Sequence, residues 1–235
     1  MPLALAQFIC SFAGSNMNVM ITDISEDLDT TVQGVQIAIT LFLLVMAALM
    51  IPGGKLTDRW GRKRCFTLGL TVYGVGAVMS ALSPGLGVLL LSNSILEGVG
   101  TALLIPPVYI LTTMLFGDVM SRARAFGVIT GMGGIGAAAG PLIGGLITTA
   151  LSWRCAFVFQ AVVIATIAFL SRPIKDPLPA DPTRPSTPSE RSWPASASSI
   201  VMGILAADNN GWLMLALLAA GALVMAAFFR HIRAK

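Results

Sequence analysis

Apolar residues in this chain gather into long runs separated by short polar breaks. A bilayer core is about 30 Å thick and takes roughly 20 apolar residues of helix at 1.5 Å rise each. Runs of that order occupy residues 2–22, 35–53, 65–83, 87–116, 125–151 and 153–170, and each predicts a membrane-spanning helix. The fourth and fifth exceed what one crossing needs, which implies tilt, a kink at Pro106 and Pro107, or ends that project beyond the hydrocarbon. A seventh run, 193–207, is short and serine-rich, so a re-entrant or tilted hairpin competes there with a full span. An eighth, 212–230, comes after the turn Asp208-Asn209-Asn210-Gly211. A Pro/Ser-rich stretch too polar to pack as core links the sixth and seventh runs. The pattern divides the chain into a six-helix unit (1–171), a cytoplasmic linker (172–192) and a helical hairpin with a basic tail (193–235).

Charge sets the expected orientation, because Lys and Arg in short loops resist translocation while acids count for little. Lys55, Arg59, Arg62, Lys63 and Arg64 fall between the second and third runs, and Arg122 and Arg124 between the fourth and fifth. The basic residues beyond the sixth run fall on that same side, which leaves Arg154 alone opposite, with Asp23, Glu26, Asp27 and Asp29. The basic side is therefore expected to be cytoplasmic, with both termini on it, in a multi-pass protein of the plasma membrane. The first run has no basic segment before it, so it reads as a retained span and not as a cleaved signal.

Composition narrows the chemistry. With 55% hydrophobic and 11% charged residues the chain departs from both soluble domains and disordered segments. A net charge of +4, scattered along the chain, is no nucleic-acid footprint; the expected partners are the lipid bilayer and a small-molecule substrate. Cys10, Cys65 and Cys155 are isolated and read as small buried hydrophobes, so neither a metal cluster nor a disulfide framework is expected. No catalytic triad or phosphate loop is present, the single His231 sits in the basic tail, and enzyme chemistry is not expected. Nor is any cofactor.

Within the apolar runs, a few residues stand out. Glu97 is the one acid placed in mid-span, where a charge costs about 2.5–3.5 kcal/mol on insertion scales. Asn93 lies one turn earlier on the same helical face. The pair fits either a proton-exchanging group on a substrate pathway or a hydrogen-bonded acid with a packing role. Asn16 and Asn18 in the first run fit either pathway contacts or helix–helix hydrogen bonds. In the fifth run, glycines and alanines four apart permit close backbone packing. Gly131, Gly133 and Gly136 also spell G-x-G-x-x-G, but it lies inside an apolar helix with no acid between Asp118 and Asp176, so the dinucleotide reading fails.

The segment from Gly54 through Leu56, Asp58, Arg59, Gly61, Arg62 and Lys63 to Arg64 resembles the G-x-L-x-D-R-x-G-R-[RK]-[RK] signature of the major facilitator superfamily of secondary transporters. The resemblance implies a cytoplasmic gating network of Asp58, Arg59 and Arg62, with Asp118 as a further member. Gly136-x-x-x-Gly140-Pro141-x-x-Gly144-Gly145 is similar to the antiporter signature of drug/proton exchangers in that superfamily, which implies a kinked fifth helix packed on a second half. The fourth span resembles R-x-x-Q-G-x-G-A-A, with Ser94 at the arginine and Glu97 at the glutamine. The first resembles the D-x-T-x-x-N-V-A-L-P of the fourteen-helix drug-exporter branch, with Ala13 at the aspartate and Asn18-Val19 matching. Ser152-Trp153-Arg154 also resembles that branch and reads as an interfacial anchor.

The expected fold is an all-α integral membrane protein: the six-helix N-terminal bundle of a major facilitator fold, as two inverted three-helix repeats, plus a C-terminal two-helix hairpin. The implied activity is efflux of drug-like or amphipathic molecules driven by the proton gradient, with Glu97, Asn93, Asn18 and Asn16 on the pathway. The alternative is a truncated or split half-transporter that needs a second half, or a second copy of itself, and does not transport alone.

Overall fold

The structure, a computed structural model, describes residues 1–173. The linker from Ile174 onward and the hairpin expected over 193–235 lie outside the described residues. The described part is helical: α1 (Pro2–Asn16), α2 (Ile21–Asp27), α3 (Val32–Trp60), α4 (Arg62–Ala81), α5 (Leu86–Leu89), α6 (Gly98–Leu115), α7 (Val119–Ala150) and α8 (Trp153–Leu170), with a 3-10 turn at Met17–Val19 and a π-helical segment at Leu90–Glu97. Among the described residues, five helices are long and apolar enough to cross a bilayer, and a bent pair would make a sixth if it crosses as one span. The chain is a multi-pass membrane protein.

Several boundaries differ from the sequence expectation. The first run is not a straight span over 2–22, because the chain bends by 65° where α1 and its 3-10 turn give way to α2. Met20, at the bend, is fully buried in a cluster with Ile24, Val35 and Trp153, so packing at this end of the bundle redirects the helix. α3 extends past residue 53 and carries the Gly53-Gly54 pair within it. Gly53 is used for close approach, since a Cβ there would sit 2.6 Å from the carbonyl oxygen of Ala102. The turn comes only at Gly61, whose φ of 94° is open to glycine and strained for other residues. The fourth run continues helically through Pro106 and Pro107. From Leu86 to Leu115 it is 30 residues, about 45 Å at 1.5 Å each, so its length beyond the hydrocarbon is met without a break.

Side chains fix three of the helix starts. Thr31 accepts from the Gly34 amide (3.1 Å), Asp118 from Ser121 (2.8 Å) and Ser152 from Arg154 (3.3 Å), each satisfying an amide the helix itself leaves unpaired. α1 packs most extensively on α7, α6 on α3 and α4, and α8 on α4. Phe12, Phe66, Leu70, Tyr73, Leu104 and Leu111 form the central core. The fold thus has one end rich in Lys and Arg, where α3 meets α4, and an opposite end carrying Asp23, Glu26, Asp27 and Asp29.

Candidate functional site

Glu97 ends the π-helical segment and is fully buried. Ser80 of α4 lies within hydrogen-bond distance of Glu97 Oε1 (3.1 Å) and of Ser92 Oγ (2.9 Å), and Asn93 Nδ2 donates to Glu97 Oε2 at 3.3 Å. Tyr73, two turns earlier on α4, adjoins the same carboxyl and donates to Gln160 Oε1 of α8 at 2.5 Å. The result is a polar chain from the π-helical segment through α4 to α8 inside an apolar core. Among the described residues no cation bonds Glu97, and Asn93 Oδ1 is buried without a hydrogen-bond partner. Glycines make the room. A Cβ at Gly76 would come 2.9 Å from Glu97 Cγ, and one at Gly100 would come 2.7 Å from the Tyr73 backbone nitrogen.

The π-helical turn brings Ser92, Asn93, Ser94 and Glu97 to the buried side together. Such widened turns occur mostly as short insertions within α-helices, and frequently at functional sites. Ser94, at the position of the family's arginine, donates to the Ala38 carbonyl oxygen at 2.7 Å and so ties this segment to α3. The departure from the signature is filled by a helix–helix hydrogen bond.

The four residues expected on a pathway do not converge. Glu97 and Asn93 lie inside the bundle. Asn16 is buried in the seam between α1 and α7, where neither amide atom finds a hydrogen-bond partner and a Cβ at Gly144 would fall on its Oδ1. Asn18 is exposed and donates to the Gly14 carbonyl oxygen at 3.4 Å.

At the basic end, Asp58 on the last turns of α3 pairs with Arg62 at the start of α4 across 3.3 Å. Arg62 is largely covered, and its Nε is buried without a partner. Arg59 sits in the last turn of α3, where the helix dipole favours a cation. Asp118 stands apart from this pair. Its carboxylate caps α7, and hydrogen bonds from Ser121 hold its pKa below the usual 3.8.

The glycine stripe of α7 faces α1. A Cβ at Gly136 would overlap the Phe8 carbonyl oxygen, and one at Gly140 would overlap Ser15 Oγ. Gly145 meets only Val19, at 3.9 Å, and Pro141 sits exposed inside an unbroken helix.

One cluster was not anticipated. Arg154 binds Asp27 at the end of α2 and donates to the Ser83 carbonyl oxygen (3.2 Å), while its guanidinium lies 4.4 Å from the Trp153 ring centre. Trp153 donates from Nε1 to Asp27 Oδ2 at 3.2 Å and is 2% exposed. The interfacial-anchor reading of Ser152-Trp153-Arg154 is therefore corrected: the indole is core, and the arginine clamps the bent first span to α8. Being partly exposed, the ion pair itself contributes only about 0.2–1 kcal/mol. The lone cation facing four acids was the available signal. A cavity of about 410 Å³ opens beside it, bounded by Asp23, Glu26, Thr148 and Trp153.

The sequence profile of the Major Facilitator Superfamily matches residues 3–232. The chain belongs to the Major Facilitator Superfamily. Among superfamily relatives, the puromycin resistance protein pur8 of Streptomyces alboniger is 30% identical over 95% of this chain and 45% of its own length. The methylenomycin A resistance protein of Bacillus subtilis (strain 168) is 30% identical over 72% of this chain and 37% of its own. The drug efflux pump JefA of Mycobacterium tuberculosis is 28% identical over 92% and 43%. The chain thus spans less than half the length of these relatives. A crystal structure of a peptide transporter POT in complex with sulfate superposes with a TM-score of 0.68 at 20% identity, over 99% of this chain and 50% of that one, which is a likeness of fold.

Proposed function

We propose that the chain supplies one six-helix half of a proton-coupled exporter of drug-like or amphipathic small molecules, with its basic end in the cytoplasm. The observation that carries the proton coupling is Glu97: a fully buried acid in mid-span, hydrogen-bonded by Ser80 and Asn93, in a widened helical turn. An ionisable group inside a membrane span is costly unless it is used, and mid-span acids recur in proton relays. In this reading Glu97 takes up and releases the coupled proton, Ser80, Asn93 and Tyr73 hold its carboxyl, and the Tyr73–Gln160 hydrogen bond passes the change from α4 to α8. Asp58 and Arg62 fasten α3 to α4 at the cytoplasmic end. The relatives named for drug resistance and drug efflux support the substrate class. The pathway forms where this half faces a second six-helix unit, from the same polypeptide, a companion chain or a second copy.

The test is proton-gradient-driven efflux from vesicles containing the whole protein. Glu97→Gln, which keeps the shape and removes the exchangeable proton, is expected to abolish uphill movement while leaving helical content unchanged. Glu97→Asp should retain part of it. Uphill transport by Glu97→Gln at the unsubstituted rate would overturn the assignment.

A further inference from the structure

A trough of about 600 Å³ opens at the basic end between α4 and α8, away from the Glu97 cluster. Its walls are short or apolar. Ala165 and Thr67 are exposed, Ala168 is half-buried, and the Thr67 hydroxyl is turned back onto the Lys63 carbonyl oxygen at 2.9 Å. Phe169 closes one side and is 65% exposed.

Its rim is cationic. Lys63 in the first turn of α4 donates from Nζ to the Arg172 carbonyl oxygen at 2.9 Å, which joins the start of α4 to the end of α8. The Arg172 guanidinium lies 5.2 Å from the Phe169 ring centre, and among the described residues it forms no ion pair with a carboxylate. α4 also begins without a side-chain cap, so the positive end of its dipole faces the same rim. A lysine serving only to cap α8 would account for the 2.9 Å bond and not for the trough. Ordinary lipid contact would account for the trough and not for two cations at its head.

We propose that this trough binds one anionic phospholipid of the adjoining leaflet. The phosphate sits between Lys63 Nζ and the Arg172 guanidinium, and an acyl chain lies along Thr67, Ala165 and Ala168. Charge complementarity selects the occupant: juxtamembrane Lys and Arg favour anionic headgroups, and basic pockets between spans on the cytoplasmic side hold them. Lipid binding here needs only that α4 and α8 cross a bilayer, so it stands or falls separately from proton-coupled efflux.

The experiment is native mass spectrometry of the full chain in mild detergent, titrated with dioleoylphosphatidylglycerol and, separately, dioleoylphosphatidylcholine. The unsubstituted protein is expected to retain phosphatidylglycerol about fivefold or more over phosphatidylcholine. Arg172→Gln should reduce that preference to near unity. Ala165→Leu, which fills the trough and leaves every charge in place, should lower retention of phosphatidylglycerol, while Arg122→Gln at the same end should not. Equal retention of the two lipids, or a preference that survives both Arg172→Gln and Ala165→Leu, would overturn the proposal. So would displacement of the lipid by millimolar inorganic phosphate, which would mark a site for a free anion.

Discussion

Asp118 shows how a charged residue in a signature pattern can be spent locally. Resemblance places it in a gating network, yet its carboxylate accepts the Ser121 amide at 2.8 Å and starts α7. Those hydrogen bonds favour the ionised form, so its folded pKa lies below the unfolded 3.8. The sign is fixed by that shift: a depressed acid stabilises fully above its unfolded pKa, and that contribution is lost as pH falls through the folded one. Protection of the Ser121 amide against hydrogen exchange is therefore expected to be flat near neutrality and to fall from about pH 4 downward. Asp118→Asn should keep the cap and remove the pH dependence, and Asp118→Ala should lose protection at every pH. Protection in the unsubstituted chain that ignores acid would show that the carboxylate does not hold this turn. At this scale the i, i+4 spacing was enough to pair Glu97 with Asn93, whereas Asp58 and Arg62 were placed together by the signature pattern and meet across the helix break at Gly61. Ser80, Tyr73 and Gln160 could not be read the same way, because they come to the Glu97 cluster from other helices and their spacing along the chain carries no period.

Helices themselves were legible because hydrocarbon demands about 20 apolar residues whatever the packing. Their ends were less so, since glycine marks a turn and a close helix approach with the same letter. Gly61 breaks the chain between α3 and α4, whereas Gly53 stays helical to admit the Ala102 carbonyl. The widened turn at Leu90–Glu97 and the 65° bend after α1 leave no mark in the hydrophobic pattern, because both are set by what they pack against. α7 allows the two uses of glycine to be separated by experiment. A Cβ at Gly136 would overlap the Phe8 backbone, while one at Gly134 would meet nothing within 4 Å. Gly136→Ala is expected to destabilise the bundle by about 1–3 kcal/mol through overpacking against α1. Gly134→Ala should be neutral or stabilising by up to about 1 kcal/mol, since it removes backbone freedom from the unfolded chain. Thermal unfolding in one detergent measures both, and equal midpoints would mean that α1 and α7 do not pack as closely as their glycines allow.

Across the whole bundle, cover is uneven in a way that bears on how a pathway forms. Half of the most apolar stretch of α4 is buried and 56% of that in Leu86–Leu115, against 28% for α3 and 17% for α7. Exposure alone does not separate a lipid-facing helix from one awaiting a protein neighbour, because both are apolar. Residue size does. On α7 the face turned from α1 presents Gly127, Gly131, Gly134 and Ala138, all exposed, and the three glycines have nothing within 4 Å of an added Cβ. So small a surface lets another helix approach its backbone closely, which is what favours helix association in lipid. The proposed second half is therefore expected to seat on this stripe. A nitroxide at Ala138 of the whole protein in lipid vesicles should be immobile and shielded from lipid-dissolved oxygen, while one at Val162 on α8 stays mobile and accessible. Gly131→Leu, which meets no neighbour within the six-helix unit, should free the Ala138 label and stop transport without lowering helical content. An Ala138 label as oxygen-accessible as the one at Val162 would mean that this face meets lipid, and the pathway would then need its second wall against α3.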